Sequence, residues 1–204
     1  MKIFIDGYSF VAESITKKLI NNHYISTDDI YILTYSDLEN AGYRNFLDIT
    51  GLNYDITGYS KEIVEKIILF NPDYVISLYA RRIVPNKVIR SARRGTFNLH
   101  PSLLPSYKGC FSAPWVIINR ESETGITIHE LSNKIDSGKI LFQKRIKVSD
   151  NETGFSLYNK LASNFIIEFD LFFNKLINNE IKSTEMPDGG KYYPRALPFN
   201  GIIN

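Results

Sequence analysis

Short apolar runs alternate with stretches of three-to-four-residue apolar spacing through the first hundred residues of the chain. Lys2-Ile3-Phe4-Ile5-Asp6 reads as a strand buried on both faces, and Ser9 is placed to cap a helix running toward Asn21. Ile30 to Tyr35 reads as a second strand. From Ser36 to Tyr59 the residues are polar and show no clear period, so we read them as loop with short elements. Lys61 to Phe70 carries a helical stripe of Ile63, Ile67 and Phe70 with Val64 and Ile68 beside it, and Asn71-Pro72-Asp73 ends it. Tyr74 to Leu78 and Thr96 to Leu99 are further strands. This alternation predicts an α/β fold with a mostly parallel sheet and helices on both faces.

Downstream, Ser112 to Asn119 reads as a short helix with Pro114 near its start. Glu123 to Glu130 and Lys139 to Val148 alternate as β segments. Thr153 to Asn178 is a long helix carrying Phe155, Tyr158, Leu161, Phe165, Phe169, Phe172 and Leu176. Lys160, Glu168, Asp170 and Lys175 interrupt it and would be costly in lipid, so it suits core covering and not a membrane span. Its aromatic density also suits a second copy of the chain, and a homodimer stays open on that ground.

Composition adds limits. A chain of 204 residues, 44% hydrophobic and 23% charged, is expected to fold as one domain over 1–204, with a short C-terminal extension from about residue 180. A net charge of +2 gives no general attraction to nucleic acid or membrane, so an anionic substrate would need a local basic patch. The single Cys110 cannot form an internal disulfide, and no charged and apolar leader opens the sequence; both lead us to expect the cytoplasm.

Candidate chemistry gathers in Arg94 to Trp115, RGTFNLHPSLLPSYKGCFSAPW. Asn98 and His100 stand two apart in a strand and therefore share a face, and Pro101 and Pro105 stiffen the loop that follows. Strand ends are where open α/β sheets place ligands. Asp136, in the turn Ile135-Asp136-Ser137-Gly138, either bonds its own backbone or supplies an acid to that pair. His129 alternates within a strand, which suits a structural or supporting role, and His23 lies in a polar connection. Three scattered histidines and one cysteine make no zinc site, and Gly7-Tyr8-Ser9 lacks the further glycines of a dinucleotide fingerprint. Neither Ser102 nor Cys110 sits in the strand-to-helix elbow of an activated nucleophile. Tyr79 to Pro85 follows a strand, where a ligand loop is expected; Arg81 and Arg82 there are either solvated or an anion clamp. Trp115 packs in the core or stacks on a substrate.

Asn98-Leu99-His100-Pro101-Ser102-Leu103-Leu104-Pro105, with Gly125-Ile126-Thr127-Ile128-His129 and Ile135-Asp136-Ser137-Gly138, resembles the formyltransferases that use 10-formyltetrahydrofolate. The likeness runs in order from about residue 72 to about residue 148, and the tail from Gly190 to Pro198 resembles the end of that domain. The resemblance implies a Rossmann-like core with Asn98, His100 and Asp136 as the catalytic set. It implies a folate site at Tyr79, Arg81, Arg82, Ile83, Val84, Ile135, Ser137 and Gly138, and no metal. Ser102, Lys108, Trp115 and Arg195 are the candidates for holding the acceptor.

The glycinamide ribonucleotide branch carries a Gly-Ser-rich phosphate loop where this chain has Gly7-Tyr8-Ser9, and no RNA-binding domain of the methionyl-tRNA branch follows the tail. We therefore expect a sugar N-formyltransferase whose acceptor is a nucleotide-linked amino-dideoxy sugar, dTDP-linked by analogy, made for surface polysaccharide such as the lipopolysaccharide O-antigen. The alternatives are the glycinamide ribonucleotide and methionyl-tRNA enzymes, a formyltetrahydrofolate hydrolase, or a binding module without turnover.

Overall fold

The computed structural model describes residues 1–197; Pro198, the last residue of the tail motif, lies outside the described residues. Seven strands form one sheet in the order β3-β2-β1-β4-β5-β7-β8. In chain order these are β1 (Ile3–Gly7), β2 (Ile30–Thr34), β3 (Asn53–Ile56), β4 (Tyr74–Leu78), β5 (Gly95–His100), β7 (Glu123–His129) and β8 (Ile140–Lys147). The pairs from β3 to β5 are parallel, whereas β5 with β7 and β7 with β8 are antiparallel. A separate two-stranded piece joins β6 (Lys108–Gly109) to β9 (Tyr192–Tyr193).

Among the described residues six α-helices cover this sheet: α1 (Ser9–Asn21), α2 (Ala41–Thr50), α3 (Lys61–Phe70), α4 (Asn86–Ile89), α5 (Ser112–Ile118) and α6 (Gly154–Ile177). The larger core lies on one face, where Val11 and Ile15 of α1, Tyr43 and Leu47 of α2, Val116 of α5 and Phe165, Phe169, Phe172 and Phe173 of α6 pack on Ile3, Ile5, Phe97, Leu99, Ile126 and Ile128, while Phe155 is exposed. On the other face Ile63, Ile67 and Val88 of α3 and α4 pack on Phe4, Tyr31, Leu33 and Val75. α4 is only four residues long. Beyond it, on the same face, β5 presents Thr96, Asn98 and His100, because side chains two apart in a strand share a face.

Two sequence expectations are corrected. The stretch 36–59 holds the ten-residue α2 and the strand β3. α2 buries only Tyr43 and Leu47, and β3 is a sheet edge with no fully buried residue, so neither writes a strong period into the sequence. Ser9 does not cap α1 from outside: it is the first helical residue, with φ of 65°, and its N–H donates to Asn40 Oδ1 at 2.9 Å. Thr153 does cap α6, in a reciprocal box with Ser156. Among the described residues no helix is long and apolar enough to cross a membrane.

Candidate active site

Cross-strand partners face the same side of a sheet, and the register places Asp6 beside Ser77, Ser77 beside Asn98, and Asn98 beside His129. A polar row therefore crosses the α3–α4 face of an otherwise apolar sheet. Its β5–β7 end is the candidate active site. The turn after β7 carries Asp136 over this end, in a left-handed backbone with φ of 47°.

Asn98, His100 and Asp136 come together here, along with His129. Asp136 Oδ2 lies 3.4 Å from His100 Nδ1, and its Oδ1 lies 3.4 Å from His129 Nε2. Asn98 Nδ2 is 3.1 Å from His129 Nε2. The backbone fixes the rings: His100 Nε2–H donates to the Tyr107 carbonyl at 2.8 Å, and His129 Nδ1–H donates to the Glu130 carbonyl at 2.8 Å. This leaves His100 Nδ1 facing Asp136, and His129 Nε2 between the Asn98 amide and Asp136. The second Asn98 amide hydrogen stays free for a ligand.

Charge follows from this geometry. Burial opposes ionisation of Asp136, but the positive character of His100, the His129 contacts and the Gly109 N–H at 2.7 Å outweigh it and hold the carboxyl down at about 2. Burial pulls His100 below its ordinary value; the Asp136 charge pushes the other way without prevailing. At neutral pH the resting pair is a carboxylate beside a neutral imidazole, whose open nitrogen is a base buried from water.

The other candidates are placed as follows. Ser102 is fully buried and donates to Ser106 O at 2.6 Å, so its side chain serves the loop and not a ligand, a correction to its expected role. Trp115 is half-buried and takes the packing alternative of its two readings: its Nε1–H donates to Pro194 O at 3.1 Å and its ring packs on Tyr193. Tyr79 turns its ring into Tyr158 and Phe165, leaving only its backbone to a ligand. Arg82 is an internal strut, bonded to Asp6 at 3.2 Å, Tyr35 OH at 3.1 Å, Thr34 O at 2.9 Å and Thr57 O. Arg81 is nearer solvent, paired with Glu39 at 2.7 Å and Asp37 at 3.0 Å, with its guanidinium over the Tyr8 ring. Lys108 Nζ donates to Gly189 O at 3.1 Å, and exposed Arg195 lies over the Phe111 ring.

Beside Asp136 an open cleft of about 450 Å³ is lined by Ile89, Leu131, Ser132, Asn133, Lys134 and Ser137. Val84 is buried beneath this region with Val88, while Ile83 and Ile135 are exposed. Gly138 abuts the Glu130 carbonyl so closely that a Cβ there would overlap it, which explains a glycine at the end of this turn. Among the described residues no group of His, Cys, Asp and Glu side chains is arranged to hold a metal ion.

The pattern of the formyl transferase family matches residues 44–165, which contain all four of these polar side chains. The chain belongs to that family. A GDP-perosamine N-formyltransferase from Brucella melitensis biotype 1 is 34% identical over 205 aligned positions, spanning 100% of this chain and 78% of the relative. The fold is shared with an N-formyltransferase from Helicobacter canadensis solved with folinic acid and dTDP-3-aminofucose (TM-score 0.75, 24% identity, 96% of this chain and 71% of that one). It is also shared with the formyltransferase PseJ from Anoxybacillus kamchatkensis, solved with a UDP-linked formamido sugar and tetrahydrofolate (TM-score 0.69, 22% identity, 96% and 86%).

In this formyltransferase the residues that sequence reasoning missed are backbone groups. The Tyr107 carbonyl and the Gly109 N–H hold His100 and Asp136, and no residue-type signal marks a main-chain contact. His129, expected to be structural or supporting, stands against both Asn98 and Asp136.

Proposed function

We propose that the chain transfers a formyl group from 10-formyltetrahydrofolate to the primary amine of a nucleotide-linked amino sugar. The observation that carries this is the convergence of an amide donor, a neutral buried imidazole and an ionised carboxylate at the β5–β7 end of the polar row. The whole-length likeness to a GDP-perosamine enzyme supports the acceptor class. The open cleft offers Ile89 and Leu131 as apolar contacts with Ser132, Asn133 and Ser137 as polar ones, a mixture that suits a heterocycle. The folate would lie there, with Ile83, Val84, Ile135, Ser137 and Gly138 around it, and would supply an activated formyl carbon.

The amine attacks that carbon and the carbonyl oxygen becomes an oxyanion, to which the free Asn98 amide hydrogen donates. The attacking nitrogen sheds a proton to His100 Nδ1, where the imidazolium that forms is paired with Asp136. The same proton passes to the departing folate nitrogen as the carbon–nitrogen bond breaks, so His100 ends neutral again. His129 keeps the Asn98 amide turned toward the oxyanion.

For the acceptor's diphosphate we assign Arg81 and Arg195. Both lie within electrostatic reach of the Glu39 carboxylate, which is held ionised by its bond from Tyr8 and by the two guanidinium charges. An anion therefore already sits where the phosphates would bind. The nucleotide is tested directly: the purified protein with 10-formyltetrahydrofolate is offered dTDP-, GDP- and UDP-linked amino sugars, GDP-perosamine among them, together with glycinamide ribonucleotide, methionyl-tRNA and no amine. A formyl mass gain confined to a nucleotide sugar is the expected result. Gain on glycinamide ribonucleotide or charged tRNA alone rejects the sugar assignment, and folate deformylation without any amine makes the protein a hydrolase.

A further inference from the structure

The segment after α6 does more than end the chain. It crosses the edge of β8, where Thr184 and Ile140 exchange both backbone hydrogen bonds, and then lays Lys191–Tyr193 alongside β6. There Lys108 N–H donates to Lys191 O at 3.2 Å, and Cys110 N–H donates to Tyr193 O at 2.9 Å. Main-chain groups of successive strand residues point to opposite edges. Between those two donors the Gly109 N–H consequently points away from the tail, straight at Asp136 Oδ2, and the Tyr107 carbonyl on that same outer edge takes the His100 Nε2–H. β6 thus spends one edge on the tail and the other on the two reacting side chains.

The rest of the contact is built to hold that register. Tyr193 stacks on Tyr107 with ring centroids 4.7 Å apart, and Asn119 Nδ2 bonds both hydroxyls, at 3.1 and 3.0 Å. Trp115 ties down Pro194. Gly109 has φ of +98° and lies so close to the Tyr193 carbonyl that a side chain there would overlap it; Gly190, at +78°, meets the Pro105 carbonyl in the same way. Tyr107 and Phe111 are themselves left-handed, at 58° and 54°, a conformation that persists only where surroundings enforce it.

We infer that the tail Gly190–Pro194 is a positioning element of the reaction centre, acting through Tyr193 on β6 and so on the orientation of His100 and Asp136. The inference rests on the catalytic roles proposed above. Tyr193→Phe keeps the stack and loses the bond from Asn119, so its turnover should fall by less than that of Tyr193→Ala. Tyr193→Ala should lower kcat at least tenfold with KM for the folate within about threefold, because the cleft at Ile89 and Leu131 is lined by no tail residue. Trp115→Phe, which removes the bond to Pro194 and trims the ring packed on Tyr193, should lower kcat less than Tyr193→Ala and serves if the alanine variant does not fold.

Turnover alone would not separate misplacement from partial unfolding, so the second readout is nitrogen NMR of the three histidines. In the parent, His100 should show a protonated Nε2 and an unprotonated Nδ1; in folded Tyr193→Ala, or in Trp115→Phe, that fixed tautomer should give way to a mixture. This arm needs no substrate, so failure of the parent to formylate any sugar would count against the proposed function and not against the tail. A folded Tyr193→Ala with kcat within twofold of the parent, or with the parental His100 tautomer, overturns the inference.

Discussion

Asp6 offers the sharpest test of the electrostatic reasoning, because it is a fully buried acid at the far end of the same polar row. Its Oδ1 is 3.2 Å from Arg82 Nε and its Oδ2 accepts from Tyr59 OH at 2.8 Å, contacts that favour the charged form. Burial nevertheless outweighs them and lifts the carboxyl from 3.8 to about 6. The direction matters. A raised pKa means that the folded state holds its proton longer than the unfolded state, so Asp6 contributes stability that is full below pH 3.8 and is lost as pH rises through 6. The loss amounts to about 3 kcal/mol at 1.36 kcal/mol per unit. Asp6→Asn cannot ionise and keeps an oxygen for Arg82, whose other donors rest on Thr34 O and Thr57 O. Urea unfolding of both proteins across this window should show the asparagine variant gaining about 3 kcal/mol relative to the parent between pH 3.8 and pH 7, with other carboxylates cancelling in the difference. A difference that stays flat, or that moves the other way, would mean that the Arg82 attraction prevails over burial and would refute the argument.

Two further outcomes follow from the site. Asn98→Ala and His100→Ala should each cost about a hundred- to thousandfold in kcat, and the double variant should cost far less than the product, because both act on one transition state; additive losses would separate their roles. Glu39→Gln should lower KM for the nucleotide sugar by about threefold, since the acceptor's phosphates would no longer displace a competing carboxylate from Arg81; a raised KM would move the diphosphate elsewhere.

The buried strands and the long helix were legible because their patterns answer to burial. Ile3 to Ile5 and Tyr74 to Ile76 are apolar on both faces since helices lie on both sides, and α6 turns Leu161, Phe165, Phe169 and Phe172 inward at helical spacing. α2 and β3 were not legible because they bury too little. The tail pairing was not legible for a different reason: two-residue strands carry no periodicity, and what they exchange is main chain. Arg82 was misread although a clue was present. An acid such as Asp6 ending an apolar strand needs a partner once buried, and the arginine pair after β4, the strand next to β1, was the supply.

That clue generalises across this sheet. Asp6 and Ser77 each follow an apolar residue two positions earlier on the same face, Phe4 and Val75, and Asn98 follows Thr96. The parallel strands thus change from apolar or mixed to polar at one common level, and His129 of antiparallel β7 extends the row beside Asn98. A polar row in a buried sheet costs stability unless each group finds a partner. At the β1 end the partners are internal, with Arg82 and Tyr59 closing on Asp6, and the result is a strut. At the β5–β7 end the row is covered by the loop after β5 and the turn carrying Asp136, and the fixed partners are carbonyls and one N–H that satisfy only one side of each ring or acid. The same pattern therefore yields framework where an arginine and a tyrosine complete it, and groups with bonding capacity to spare where main chain does.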